Sequence, residues 1–123
     1  MAIEIILAAV ALAQAGPATA SRDSTVGQAD AAYEQLAAGE NEQAIAYLLA
    51  ALEKTPDDPA MLINLGTAYS RAGDFEKART AFRAAIASES RYRVELADGS
   101  WEDSQWVARI ALDSLERTAL AAK

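Results

Sequence analysis

Apolar and small residues recur at helical spacing through the middle of the chain, and the recurrence has a fixed period. Leu62, Leu65 and Tyr69 precede Gly73, and Ala78, Phe82 and Ala85 follow it. Ala44, Leu48 and Ala51 follow Gly39 in the same way. Superposing the two blocks at 34 residues places Gly39 on Gly73, Glu42 on Glu76, Ala44 on Ala78, Leu48 on Phe82 and Ala51 on Ala85. Upstream, Ala32 falls on Gly66. Self-similarity of this length marks stacked helical hairpins, whose neighbours bury each other's apolar faces. The periodicity predicts helices over about 25–38, 41–54, 58–72 and 75–88. Gly39 and Gly73 fall where a left-handed residue ends the first helix of each hairpin. Asn41, Asp58 and Asp74 are the expected N-caps, and Pro59 suits a first helical turn.

Beyond Ser90 the period changes. Tyr92, Val94 and Leu96 alternate with Arg91, Arg93 and Glu95, which is strand spacing. Asp98-Gly99 is a two-residue turn signal that would place Leu96 opposite Trp101. A helical turn broken at Gly99 is the alternative. A final helix is expected from Asp103 to about Ala119, with Trp106, Val107, Ile110 and Leu115 on its apolar face. Arg109–Asp113 and Asp113–Arg117 would pair on its wet side. Repeat arrays need a terminal cap, and this helix suits that role. Trp101 and Trp106 are expected to tie the hairpin and the cap helix to the repeats, with an exposed recognition surface as the alternative.

The second block reads Leu62-x-x-Leu65-Gly66-x-x-Tyr69, then Ala78-x-x-x-Phe82-x-x-Ala85. This resembles the tetratricopeptide repeat. Leu62 stands where Trp is usual, and Ser90 where the closing Pro is usual. The first block matches in its second helix, through Ala44, Leu48, Ala51 and Pro56, and is degenerate in its first, with Gln28 in the large apolar place. The resemblance implies an all-α superhelical fold with repeats at about 25–58 and 59–90, to which the residue pattern adds a short β-hairpin at about 91–102 and a cap helix at about 103–120. Small residues are needed where helices cross closely. Gly66 with Ala78, and Ala32 with Ala44, are the expected crossing pairs. Phe82 and Tyr69 are the expected large packing groups between hairpins.

Residues 1–20 open with an uncharged apolar run, Ile5 to Ala13, too short to span a bilayer as a helix. Ala13-Gln14-Ala15 is a small-residue cleavage cue before Gly16-Pro17, and Ala18-Thr19-Ala20 is a second. The run reads as a signal peptide, which would place the protein in a bacterial periplasm or outside the cell. Glu4 and the absence of Lys or Arg before the run depart from that pattern. An apolar helix docked on the first repeat, in a cytoplasmic protein, is the alternative. Residues 16–24 read as a linker.

Composition narrows the function. The net charge of −7 and pI near 4.5 leave no basic footprint for nucleic acid or for anionic lipid. The chain has neither cysteine nor histidine, which removes thiolate chemistry and the most frequent general base and metal ligand. Asp57-Asp58 and Glu102-Asp103 read as cap carboxylates, and Asp98-Gly99-Ser100 as a turn. No phosphate loop or calcium loop is present. No catalytic residue, cofactor or metal site is expected.

The resemblance supplies a site. In such arrays the first helix of each hairpin lines a concave face. By repeat position that face would carry Ala29, Tyr33 and Leu36, then Ile63, Asn64, Thr67, Ser70 and Arg71. Tyr33, Ile63, Asn64, Thr67 and Arg71 are the expected partner-binding residues, with Asn64 at a position where relatives bond a peptide backbone. The basic clamp that some relatives use for a C-terminal carboxylate is not apparent. The expected work is non-catalytic binding of a peptide segment of a protein partner in this groove, with burial of the groove or of the repeat edge in a homo-oligomer as the alternative.

Overall fold

The computed structural model describes residues 7–9, 32–91, 93–96 and 98–121. The described elements are β1 (Leu7–Ala9), α1 (residues 32–37), α2 (Asn41–Lys54), α3 (Pro59–Arg71), α4 (Phe75–Ala87), β2 (Arg93–Leu96), β3 (Trp101–Asp103) and α5 (Ser104–Ala121). The fold is a tetratricopeptide-type stack of helical hairpins, α1–α2 and α3–α4, carrying a short β-hairpin and closed by α5. The first part of the expected helix 25–38 lies outside the described residues.

Caps and turns set the helix boundaries. Gly39 and Gly73 adopt φ of 81° and 87°, which only glycine reaches without strain, and each ends the first helix of its hairpin. The Asp58 carboxylate accepts from the Ala60 and Met61 amides at 3.0 and 3.1 Å, with Pro59 at the first helical position. Asp74 caps α4 by accepting from the Lys77 amide at 3.3 Å. Asn41 departs from expectation. It is the first residue of α2, the cap position is Glu40, and no side chain caps that end.

Gly66 is where α3 and α4 cross. A Cβ built there would lie 2.5 Å from Phe82 Cε1, so the ring lies flat against bare backbone. Phe82, Ala78 and Ala85 are all buried, as the periodic pattern requires. Leu36, Ala44 and Ala68 form the matching cluster between the first hairpin and α3. The main core then runs through Leu48, Met61, Ile63, Phe82, Val107 and Leu115. α3 is buried at every position from Pro59 to Ala68, because α2, α4, α5 and β1 all pack on it.

Asp57 takes a role that its neighbour's capping concealed. Its backbone carbonyl accepts from the Ser88 hydroxyl at 2.7 Å, and its carboxylate accepts from the Glu89 amide at 3.1 Å. This ties the connection between hairpins to the end of α4, where the usual closing proline is missing.

The hairpin is present, with a different register. Glu95 rather than Leu96 stands opposite Trp101, and the Leu96 amide donates to the Ser100 carbonyl. The connection is therefore one residue longer than a two-residue turn, with Gly99 at φ 87°. Asp98 holds it by accepting from the Ser100 amide at 2.9 Å and hydroxyl at 2.6 Å, which lowers the Asp98 pKa. The sheet has a third strand, in the order β1-β2-β3, all antiparallel. Within the N-terminal apolar run, Leu7–Ala9 are thus extended and paired, not helical as the docked-helix alternative required. The rest of that run lies outside the described residues.

α5 packs on α4 and α3 through Ser104, Val107, Ala108, Ala111 and Leu115. Two residues expected on this face point away: Trp106 and Ile110 are exposed. The small residues Ala108 and Ala111 take their places, since close approach to α4 leaves no room for a large ring. Arg79 of α4 spans the junction, donating from Nε to Glu116 at 2.5 Å and from Nη1 to Glu76 at 2.6 Å. The Glu116 bond, then the Glu76 bond, raise its pKa and keep it charged. On the wet side Arg117 pairs with Asp113 at 2.6 Å.

Asp103 closes the hairpin onto α5. It accepts from the Gln105 and Trp106 amides at 2.9 and 3.2 Å and pairs with Arg91 at 2.8 Å. Partial burial raises its pKa, but Arg91 and the two amides outweigh this, and the net shift is downward. A lowered folded-state pKa stabilises above the unfolded value, near 3.9, and that contribution disappears as pH falls through the folded value. Asp103→Ala is expected to cost about 1 kcal/mol at neutral pH, as loss of an N-cap does. Urea midpoints at pH 7 and pH 3 check this, since the difference between wild type and variant should shrink in acid.

Candidate functional site

The described residues among those expected on a concave face occupy α1 and α3. Arg71, in the last turn of α3, donates from Nη1 to the Leu36 carbonyl at 2.6 Å. Leu36 also packs against Ala68, so the end of α1 is fastened to α3 by one polar and one apolar contact. Tyr33 lies one turn before Leu36 and is half-buried. Ile63, Asn64, Thr67 and Arg71 follow along α3 at i, i+1, i+4 and i+8, a single stripe. The sequence-derived set therefore lies on two adjoining helices. Ala29 lies outside the described residues.

The members differ in what they can offer. Ile63 and Asn64 are fully shut off from solvent, and Thr67 nearly so. The Thr67 hydroxyl donates back to the Ile63 carbonyl at 2.9 Å. Arg71 is engaged with Leu36 and fastens α1 to α3. Asn64 stands apart: both its amide nitrogen and its amide oxygen are buried with no hydrogen-bond partner among the described residues. A buried amide ordinarily satisfies at least one of these atoms, because each one left unmade costs about 1 to 3 kcal/mol.

One recess was not foreseen. Leu62, Leu65, Tyr69, Lys77, Ala81 and Ala84 line a depression of about 280 Å³ between α3 and α4. The Lys77 ammonium stands 5.6 Å from the centre of the Tyr69 ring, within cation–π range. Tyr69, expected as packing between hairpins, is half-buried at this recess. The signal in the sequence was the Tyr69–Lys77 pair flanking the Gly73 turn.

Among the described residues no group of three acidic side chains converges as a metal site, and no helix is long and apolar enough to cross a membrane. Paired helices crossing at a glycine, each hairpin turned by a left-handed glycine and stacked at a 34-residue period, define a helical-repeat protein. The tetratricopeptide repeat model matches residues 29–93, more than half of the sequence, and the chain belongs to that family. Neither the curated proteins nor the solved structures gave a match. Tetratricopeptide repeats generally mediate protein–protein interactions and are non-catalytic scaffolds.

Proposed function

We propose that the protein binds a short segment of a partner protein across the α1–α3 face, using Tyr33, Ile63, Asn64 and Thr67, with Arg71 holding the two helices together. The observation that carries this reading is the unpartnered Asn64 amide. An amide that satisfies nothing in the free chain can donate to and accept from a peptide backbone. Ile63 beside it supplies apolar area, and the half-buried Tyr33 supplies an aromatic anchor. Because Ile63 and Asn64 are closed to solvent in the unliganded chain, binding requires this face to open, which lowers the apparent affinity. The net charge of −7 favours a neutral or basic segment.

Asn64→Leu tests the reading. Ligands are first selected from a random peptide library on the full chain. Asn64→Leu is expected to keep or raise the melting temperature, because it removes two buried unmade hydrogen-bonding groups. The same substitution is expected to weaken the selected peptides by about tenfold or more, and Tyr33→Ala by about 1 kcal/mol or more. Unchanged affinity in both variants would move the site off this face.

Self-assembly is the second reading, favoured by the exposed Trp106, Ile110 and Leu120 on α5. Mass in solution separates the two, and a dimer that Trp106→Lys dissociates would support assembly. We further propose export to a bacterial periplasm or beyond, on the strength of the Ile5–Ala13 run and the two small-residue cues after it. N-terminal sequencing of the native protein is expected to begin at Gly16 or Ser21.

A further inference from the structure

α5 closes the stack, yet its outward face is not the polar one that a terminal cap is expected to turn to water. Of the five large apolar side chains exposed among the described residues, three are on α5: Trp106 at 48%, Ile110 at 36% and Leu120 at 69%. They fall in line. Trp106, Ile110, Asp113, Arg117 and Leu120 are spaced by 4, 3, 4 and 3 residues. With about 3.6 residues per turn, these five positions share a sector of about 80°. It lies across the helix from Val107, Ala108, Ala111 and Leu115, which are buried. Such spacing is the a/d seam of a coiled coil, with Trp106, Asp113 and Leu120 at d and Ile110 and Arg117 at a. Within the chain Arg117 and Asp113 already pair at 2.6 Å. Arg109 and Arg117 balance Asp113 and Glu116, so α5 is neutral in a chain of net charge −7.

We propose that this seam joins two copies of the chain, α5 antiparallel to α5, about a two-fold axis level with Leu115. In that register Ile110 of each copy meets Leu120 of the other, and Asp113 of each meets Arg117 of the other. The pairing rests on the self-assembly reading, gives it a face, a direction and a register, and uses no residue of the α1–α3 face. An isologous contact requires the same patch to complement itself, and this stripe does so. All four layers match, two apolar and two oppositely charged. A parallel pair would instead set Asp113 on Asp113 and Arg117 on Arg117. A shift of one heptad would bury Ile110 against Asp113. At the centre each carboxylate stands between two guanidiniums, its own and that of the second copy. Exposed ion pairs add little affinity, but they fix direction and register. Repulsion between the two acidic chains is screened beyond about 8 Å at physiological salt, and the faces that come nearer than this are neutral. The seam is about 22 Å long at 1.5 Å per residue, which is small for an interface. Association is therefore weak, with half of the chain paired near roughly 100 μM.

Sedimentation equilibrium of the full chain at physiological salt, from about 10 μM to about 1 mM, should show monomer passing to dimer and nothing larger. Asp113→Arg and Arg117→Asp should each weaken the dimer about tenfold or more, because four like charges then meet at the centre of the seam. An equimolar mixture of these two variants should dimerise about as well as wild type, since every pair facing across the seam is again of opposite charge. Ile110→Lys should remove association while circular dichroism shows an unchanged helix content, as the side chain is exposed in the single chain. A wild-type chain still monomeric at about 1 mM would overturn the proposal together with the self-assembly reading. A dimer that neither the charge variants nor Ile110→Lys weaken would overturn the proposal alone and move self-association to another face. Charge variants whose mixture stays monomeric would overturn the antiparallel register, and the proposal with it.

Discussion

Phe82→Ala is expected to destabilise the protein by about 3 to 5 kcal/mol, the upper range for loss of a buried aromatic ring. Phe82 is 2% exposed, and the ring lies against Gly66 of the neighbouring helix. Removing it leaves a void bounded by a glycine, which has no side chain to move inward. The surrounding Ala78, Ala81 and Ala85 are equally unable to fill it. The site therefore cannot collapse, and the cavity term adds in full to the lost transfer energy. Since domains of this size are stable by about 5 to 15 kcal/mol, the variant should be at the margin of folding at 37 °C. Urea unfolding followed by circular dichroism measures this directly. A midpoint shift worth less than about 1 kcal/mol would mean that Phe82 is not the centre of the α3–α4 crossing.

Gly66→Leu should act through the same contact from the other side. Leucine improves helix propensity by about 1 kcal/mol over glycine. Against this, its Cβ alone would come within 2.5, 2.6 and 2.8 Å of three atoms of the Phe82 ring. The ring is buried and cannot swing out, so α3 and α4 must separate and give up contacts along their length. The overpacking cost wins, for a net loss of roughly 2 to 4 kcal/mol. The two positions are coupled: in a Phe82→Ala background the clash disappears, and Gly66→Leu should be close to neutral or stabilising. A double-mutant cycle in which the two effects simply add would show that the glycine and the ring do not meet.

The parts of this fold that were legible in the sequence are those fixed by local chemistry or by the repeat itself. Gly66, Ala78 and Phe82 betray the helix crossing because a close approach admits few residue types. Gly39 and Gly73 betray the turns because their backbone angles exclude other residues. Strand alternation at 93–96 was visible for the same reason. What could not be read depends on distant partners. The run containing Leu7–Ala9 suits a leader, a helix or a strand equally well, and only the β2 edge, some ninety residues on, makes it a strand. Trp106 and Val107 are adjacent apolar residues, and which one turns inward depends on how closely α4 approaches. The hairpin register was missed because Gly99 serves a two-residue or a three-residue connection alike. For the site, repeat position placed Ile63, Asn64, Thr67 and Arg71 on one stripe of α3, but the closure of Ile63 and Asn64 is a property of what packs around α3.

α5 rests on α4 and α3 much as α3 rests on α2 and on α1 through Leu36 and Ala68. Yet the first of these junctions is bridged by residues 88–103 and the second by residues 55–58. Stacking is thus indifferent to the length of the bridge. The reason is that helix faces carry the contact energy, while closing a longer loop adds only about 0.6 kcal/mol per doubling. A seam of this kind lets a repeat protein take up an inserted element, here the β2–β3 hairpin, without altering the helix stacking on either side of it. The stack and the insertion are then free to change separately, one constrained by the spacing of side chains on its helices and the other by the pairing of its strands.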